Sequence, residues 1–458
     1  MGLLRSYILS TLITVVLCQK IMSVPSSKKY EPTWDSLDTR PMPVWYDDAK
    51  IGIFVHWGVF SVPSFGSEWF WHSWKVRNMT EYTQFMERYR ATSSYQEFAG
   101  DFSAEFFDPK SWAELFKSAG AQYVILTSKH HDGYTLWPSK YSYSWNSVDV
   151  GPHRDIVGEL SAAVKAENIT FGLYHSLYEW FNPMYLDDKA SKFAKDNYVV
   201  RKVLPELTEL VETYQPYILW SDGDWEASED YWESRKFLAW LYNDSPVKDK
   251  VVVNDRWGIN ITCQHGDFFT CQDRFNPGVL QRHKWENAMT IDRKSFGYRR
   301  NAKLEDYLTT HELISTMVET VSCGGNILIN IGPSKDGTIN HIYQERLFDL
   351  GKWLSVNGEA IYGTRPWAHQ NDTASNTWYT TRANVIYALT LKWPTNNHLR
   401  IAAPVSIFES ISTIQLLGQK QKLNVKLEWT SDEKVLVVEF PNKAVVATDW
   451  VYVIKIVT

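Results

Sequence analysis

The chain has 458 residues and a formal net charge of −6, which suits one large domain plus a smaller one. It has no basic stripe of the kind that marks a nucleic-acid partner. Its 22 tryptophans are unusually many; most are expected in the core, but such an excess is common in carbohydrate-active proteins.

In chain order, Met1 to Arg5 and the apolar stretch Tyr7–Cys18 read as a secretory signal peptide over residues 1–23, too short to span a bilayer. No later segment is long and apolar enough to cross a membrane, so a lumenal or extracellular destination is expected. Sequons at Asn78, Asn168, Asn243, Asn260 and Asn371 fit that route.

Residues 30–362 alternate apolar runs with amphipathic helices. Lys50–Val55, Tyr123–Leu126, Thr170–Tyr174, Tyr217–Trp220, Val251–Val253 and Asn326–Asn330 read as parallel strands. Helices are expected from Asp108-Pro109, from Asp155, around Leu207–Tyr214, and from Leu313 to a stop at Gly324-Gly325. Strand–helix alternation of this length predicts a (β/α)8-like, TIM-type barrel or a doubly wound sheet, and the polar loops after most strands favour the barrel. From 366 to 458 the hydrophobic period becomes two, as in Val385, Tyr387, Leu389 and Leu391. The segments Leu423–Trp429 and Val435–Phe440 flank a turn at Thr430–Glu433. This predicts a C-terminal antiparallel β-sandwich, a packing domain or a sugar-binding one.

The decapeptide Tyr217–Glu226 ends an apolar strand in Asp222, Asp224 and Glu226 between Trp220 and Trp225. A carboxylate delivered to a barrel rim beside indoles suits a sugar site; it also suits a helix cap. His56-Trp57-Gly58, Lys129-His130-His131-Asp132-Gly133, Tyr174-His175 and Asn254-Asp255-Arg256-Trp257 close other strands on the same edge. Each His or Arg there can donate to sugar hydroxyls. A metal site at His56, His130 and His131 lacks ligand spacing, and no cofactor motif is present, so neither metal nor cofactor is expected. Cys263 and Cys271, in one polar loop, are placed to close a small disulfide ring. Cys323 reads as a buried free thiol.

Together with Ser295-Phe296-Gly297-Tyr298 and Asn326–Gly337, these motifs resemble the α-L-fucosidases of glycoside hydrolase family 29, in particular the animal tissue (lysosomal) members. The resemblance runs from about Trp45 to the C-terminus. It implies a retaining exo-α-L-fucosidase that releases terminal fucose from glycoproteins, glycolipids and oligosaccharides through a fucosyl-aspartate. Asp222 takes the nucleophile's position. His56, Glu68, Trp69, His130, His131, Tyr174 and Arg256 match fucose-contact positions, and Phe296 matches the wall for the 6-methyl group. Two acid/base positions are compatible, Asp273 and Glu286. Lys284 beside Glu286 suggests an ion pair that would disfavour a protonated acid there, so Asp273 is preferred. A lysosomal or secreted homo-oligomer, a tetramer as in relatives, is also implied. The alternative is an inactive fucose-binding lectin on the same scaffold.

Overall fold

The computed structural model describes residues 29–429 and 434–458; the expected signal peptide and the Thr430–Glu433 turn lie outside them. Seven parallel strands form one sheet: β1 (Ile51–Val55), β2 (Tyr123–Lys129), β3 (Thr170–Ser176), β4 (Ile218–Asp222), β5 (Val252–Val253), β6 (Trp285–Thr290) and β7 (Gly325–Ile331). Their order is β5-β4-β3-β2-β1-β7-β6.

The gap between the edge strands β5 and β6 is filled by residues 267–270. Phe268 N donates to Val253 O at 3.3 Å, Phe269 N donates to Lys284 O at 2.8 Å, and Glu286 N donates to Phe269 O at 2.9 Å. This short segment completes the hydrogen-bonded ring of the (β/α)8-like barrel. Its lumen is packed with side chains from around that ring, among them Phe54, Tyr123, Tyr174, Trp220, Phe268 and Leu328, so it is a core and not a channel.

The expected helices form at Pro109–Ser118, Ile156–Ala166, Leu204–Tyr214 and Thr310–Ser322. Local chemistry sets their ends. Asp108 and Asp155 accept from Lys110 N and Gly158 N, and Thr309 with Glu312 forms a capping box.

Strand β6 has no counterpart in the sequence reading. It opens Trp285-Glu286-Asn287, without an apolar run, yet all six residues are buried. Glu286 can occupy it because three donors satisfy the carboxylate: Tyr46 OH at 2.7 Å, Tyr123 OH at 2.6 Å and Trp220 Nε1 at 3.1 Å. The expected Lys284–Glu286 ion pair is a correction. Lys284 Nζ instead donates to Asp47 Oδ1 at 2.6 Å and to Gly324 O at 3.0 Å.

Beyond the barrel come β8 (Arg365–Asn371), β9 (Thr377–Arg382), β10 (Val385–Thr390), β11 (His398–Ile401), β12 (Thr413–Leu416), β13 (Val425–Trp429), β14 (Lys434–Glu439) and β15 (Tyr452–Val457). They form a five-stranded sheet, β12-β15-β10-β9-β8, facing a three-stranded one, β11-β14-β13. The two-residue period divides β10 between two cores. Ile386 and Ala388 lie in the sandwich core, whereas Tyr387 and Leu389 join the barrel's outer core. Trp353 Nε1 donates to Val451 O at 2.8 Å across the same junction.

Four of the five sequon asparagines, Asn78, Asn168, Asn260 and Asn371, are exposed. Asn243 is clamped: its Nδ2 donates to Tyr30 O at 2.8 Å, and its Oδ1 accepts from Tyr30 N at 2.8 Å. The sequon hydroxyl, on Ser245, is itself buried and bonded to Leu241 O. Glycopeptide mapping of the folded protein is therefore expected to find Asn243 bare. Occupancy there would contradict the clamp to Tyr30.

Candidate active site

Because the barrel strands are parallel, their C-terminal ends share one face, and the candidate residues converge on it. Asp222 closes β4 and is buried. Its Oδ2 accepts from Tyr174 OH at 2.7 Å, its Oδ1 accepts from Arg256 Nη1 at 3.0 Å, and His131 Nε2 lies 3.5 Å from Oδ2. The chain then turns through Gly223 at φ +79°, where an added Cβ would stand 2.4 Å from the Tyr178 ring. Only glycine fits that turn.

Arg256 is immobilised from three sides. Its Nε donates to Thr270 Oγ1 at 3.0 Å, and the Thr270 hydroxyl donates to Asp255 Oδ1 at 2.6 Å. Its guanidinium carbon sits 4.6 Å from the Trp220 ring centroid. Its second terminal nitrogen, Nη2, donates to Asp273 Oδ1 at 2.7 Å. One guanidinium thus joins Asp222, at the wall, to Asp273, whose side chain is 49% exposed. The Cys263–Cys271 disulfide, with Cα atoms 4.8 Å apart, closes the loop before Asp273. The loop is anchored on Asp255 Oδ2, which accepts from Cys263 N at 2.7 Å and Cys271 N at 3.1 Å. Ligand atoms of Asp255, Cys263 and Cys271 approach within 4.8 Å of one another, but the sulfurs are joined and the carboxylate is occupied, so this is no metal set. Cys323 is a buried free thiol.

The pocket histidines are neutral. Burial pushes His56 down to about 4 and His131 to about 3, and it holds His130 well below the usual range. Their neighbours also fix two tautomers. The Ser176 hydroxyl donates to Tyr178 O at 2.6 Å, so it accepts from His131 Nδ1–H at 2.6 Å. Asn330 Nδ2 donates to Phe296 O at 2.7 Å and Thr290 Oγ1 at 3.0 Å, so its Oδ1 accepts from His56 Nδ1–H at 2.7 Å. In both rings Nε2 is then unprotonated, and that of His131 faces Asp222 Oδ2 at 3.5 Å.

Glu68 is held by one oxygen, Oε2, which takes Ser295 Oγ at 3.0 Å, Phe296 N at 3.0 Å and Gly297 N at 2.9 Å. Burial raises its pKa despite those donors. Phe296 packs 5.0 Å from the His56 ring, and Trp69 meets His131 edge-on at 5.2 Å. His130 lies 4.1 Å from His131 and nearly parallel to Tyr174.

Glu286 stands apart. It is fully buried on β6, with the Trp220 indole bonded to one of its oxygens and Arg256 packed over the same ring. Burial raises its pKa. Asp273 behaves oppositely: burial raises it, but the charge and hydrogen bond of Arg256 prevail and hold it below the ordinary carboxylate range. Asp224 is buried, accepts from Thr262 Oγ1 at 3.1 Å, and is pushed up to about 6 by burial and by Asp222. Glu226 is bound by Tyr185 and Lys189.

Behind His130 and His131, the side chain of Lys129 reaches a buried ion cluster. Its Nζ contacts Glu179 Oε1 at 2.9 Å and Glu206 Oε2 at 2.8 Å; Lys202 Nζ and His175 Nε2 contact Glu206 at 2.9 and 3.2 Å. Sequence reasoning did not single out this cluster, Thr270, Ser176 or Asn330 as supports. Hydroxyls and amides carry no spacing signal, although Asn330 stood in a quoted motif.

A family model described as "Alpha-L-fucosidase" matches residues 17–359, and one for the α-L-fucosidase C-terminal domain matches 370–457. The chain is 55% identical over 408 residues to an α-L-fucosidase of Branchiostoma floridae, covering 88% of this chain and 90% of that one. It is 52% identical to the human plasma α-L-fucosidase (91% and 90% covered) and 50% identical to the human tissue enzyme (94% and 92%). Among solved structures it superimposes on the Thermotoga maritima α-fucosidase in complex with a mechanism-based inhibitor, with TM-score 0.80 and 34% identity, over 94% of this chain and 100% of that one. The strand-end pocket and both halves of the chain lead to one conclusion: this protein belongs to the α-L-fucosidase family.

Proposed function

We propose that this α-L-fucosidase removes terminal fucose with retention, through a covalent ester on Asp222, and that Asp273 is the acid/base. The observation that carries this reading is the single guanidinium shared by the two carboxylates, one buried at the wall and one half-exposed in the disulfide-closed loop. Retaining glycosidases need such a pair about 5–5.5 Å apart.

In the first step an Asp222 oxygen bonds to the anomeric carbon, the glycosidic C–O bond breaks, and the Asp273 proton goes to the leaving oxygen. In the second step Asp273 takes a proton from water, whose oxygen displaces Asp222 and releases fucose. Arg256 suits the second step directly, because it favours the ionised Asp273. In the first step it opposes proton loading, so the reaction calls for an acidic setting. An acidic lumen such as a lysosome supplies that setting for an enzyme acting on fucosylated glycans. Neutral His56 and His131 hold sugar hydroxyls through their Nε2 lone pairs, and Phe296 faces the 6-methyl group.

Position outweighs acidity in choosing between Asp273 and Glu286. Glu286 has the raised pKa an acid needs, but it lies beneath Trp220 with its oxygens bonded. Asp224 is a second reading for the acid, favoured by its pKa of about 6. The lectin alternative draws no support, since the relatives are named as fucosidases and the pocket's carboxylates and donors are complete.

Asp222→Gly is expected to lower kcat at least about a thousandfold, about 4 kcal/mol, with azide restoring turnover of an aryl fucoside as the β-fucosyl azide. Undiminished hydrolysis would remove Asp222 from the role. Alanine variants of Asp273, Asp224 and Glu286 should be compared on good and poor leaving groups. Asp273→Ala is expected to lose far more rate on the poor one, and a larger discrimination at either other position reassigns the acid.

The histidines give a pH test. The folded pKa of His131 is about 3 against an ordinary 6.5, so its contribution to stability is full above 6.5 and is lost as pH falls towards 3. His131→Asn keeps a donor for Ser176 and does not titrate. Its Tm is expected to fall less steeply than the wild type's between pH 6.5 and 4; parallel slopes would refute the neutral, buried histidine.

A further inference from the structure

We propose that the exposed indole of Trp225 is a platform for the sugar to which the fucose is linked, making it a determinant of aglycone choice. The proposal rests on reading the Asp222 pocket as the seat of the fucosyl ring.

A lone exposed apolar side chain is ordinary; Trp225 is set apart by the residues its ring packs on. Trp225 is 43% exposed. Among the exposed large aromatics of the described residues, it is the one whose ring packs on pocket residues. It stands edge-on to His131 at 5.6 Å and to Tyr178 at 5.5 Å, and lies within 26° of parallel to Trp69 at 6.0 Å. These three neighbours fix the ring before any ligand arrives, so little side-chain freedom remains to be lost on binding.

The loop carrying Trp225 is also fixed relative to the nucleophile. It begins at Asp222, turns at Gly223, and is tied to the segment before Asp273 by Thr262 Oγ1 donating to Asp224 at 3.1 Å and by Ile259 N donating to Ala227 O at 3.0 Å. The indole therefore keeps a constant offset from the bond to be cleaved. Behind Trp225 the ring packing continues through Trp69 to the buried Trp180 (5.3 Å) and to Trp71 (5.7 Å from Trp180, within 17° of parallel). A terminal fucose fills the pocket, so whatever it is attached to must leave through this mouth. The ligand class that fits a flat, apolar, half-open indole is a neutral hexopyranose presenting a face of C–H groups.

The test compares a substrate with no platform ligand, α-L-fucosyl fluoride, with a fucosylated disaccharide. For Trp225→Ala, kcat/KM on the disaccharide relative to the fluoride is expected to fall about tenfold, equivalent to about 1.4 kcal/mol, chiefly through KM. Trp225→Phe keeps a flat face and is expected to recover most of that ratio. An equal loss on both substrates would show that the indole acts only through His131, and no loss on either would show no platform; either overturns the proposal. If the wild-type enzyme itself fails to turn over the fluoride, the reading of the pocket fails instead.

Discussion

The chemistry of this pocket depends on one cation held between two carboxylates. With His56, His130 and His131 neutral, Arg256 is the charge that Asp222 and Asp273 share. A buried pair of this kind gains little net stability, because desolvation offsets attraction; removing one partner, however, leaves an uncompensated charge. The arrangement is better understood as a geometric constraint. It sets the relative position of the two carboxylates proposed to attack the sugar and to carry the proton.

The constraint is built outward in layers. Trp220 lies under the guanidinium, Thr270 accepts from its Nε, and Asp255 fixes Thr270 while gathering the backbone N–H groups of both disulfide cysteines. Asp255 therefore couples Arg256 to the loop that presents Asp273. On the opposite side, Lys129 ties the histidine turn to Glu179 and Glu206, while Ser176 orients the His131 ring. The glycine turn after Asp222 completes the set by bringing Trp225 to the mouth.

Much of this was legible in the sequence. Six strands appear as apolar runs, five of them leading into His, Asp or Arg, because a buried parallel strand can place charge only where it emerges. Asp108-Pro109 and Gly324-Gly325 mark helix ends by their own chemistry, and the alternation through Val385–Leu391 announces the sandwich. What was not legible depended on partners distant in sequence. Strand β6 hides because Glu286 is satisfied by Tyr46 and Tyr123, more than 150 residues away in the chain. The segment at 267–270 is too short to show a period, yet it closes the barrel. Lys284 was paired with its neighbour when Asp47 holds it. The histidine tautomers depend on Ser176 and Asn330, which no spacing rule connects to them.

The central claim is that Asp222 attacks while Asp273 serves the leaving oxygen and the water. The most direct measurement is to incubate the enzyme with a 2-deoxy-2-fluoro-fucosyl fluoride, which slows release of the glycosyl-enzyme, and to map the labelled peptide by mass spectrometry. The account predicts a single fluorofucosyl adduct on Asp222 in the peptide that also contains Asp224, with site-resolving fragmentation placing it on the former. An adduct on Asp224 or Asp273, or inactivation without any covalent adduct, would contradict it.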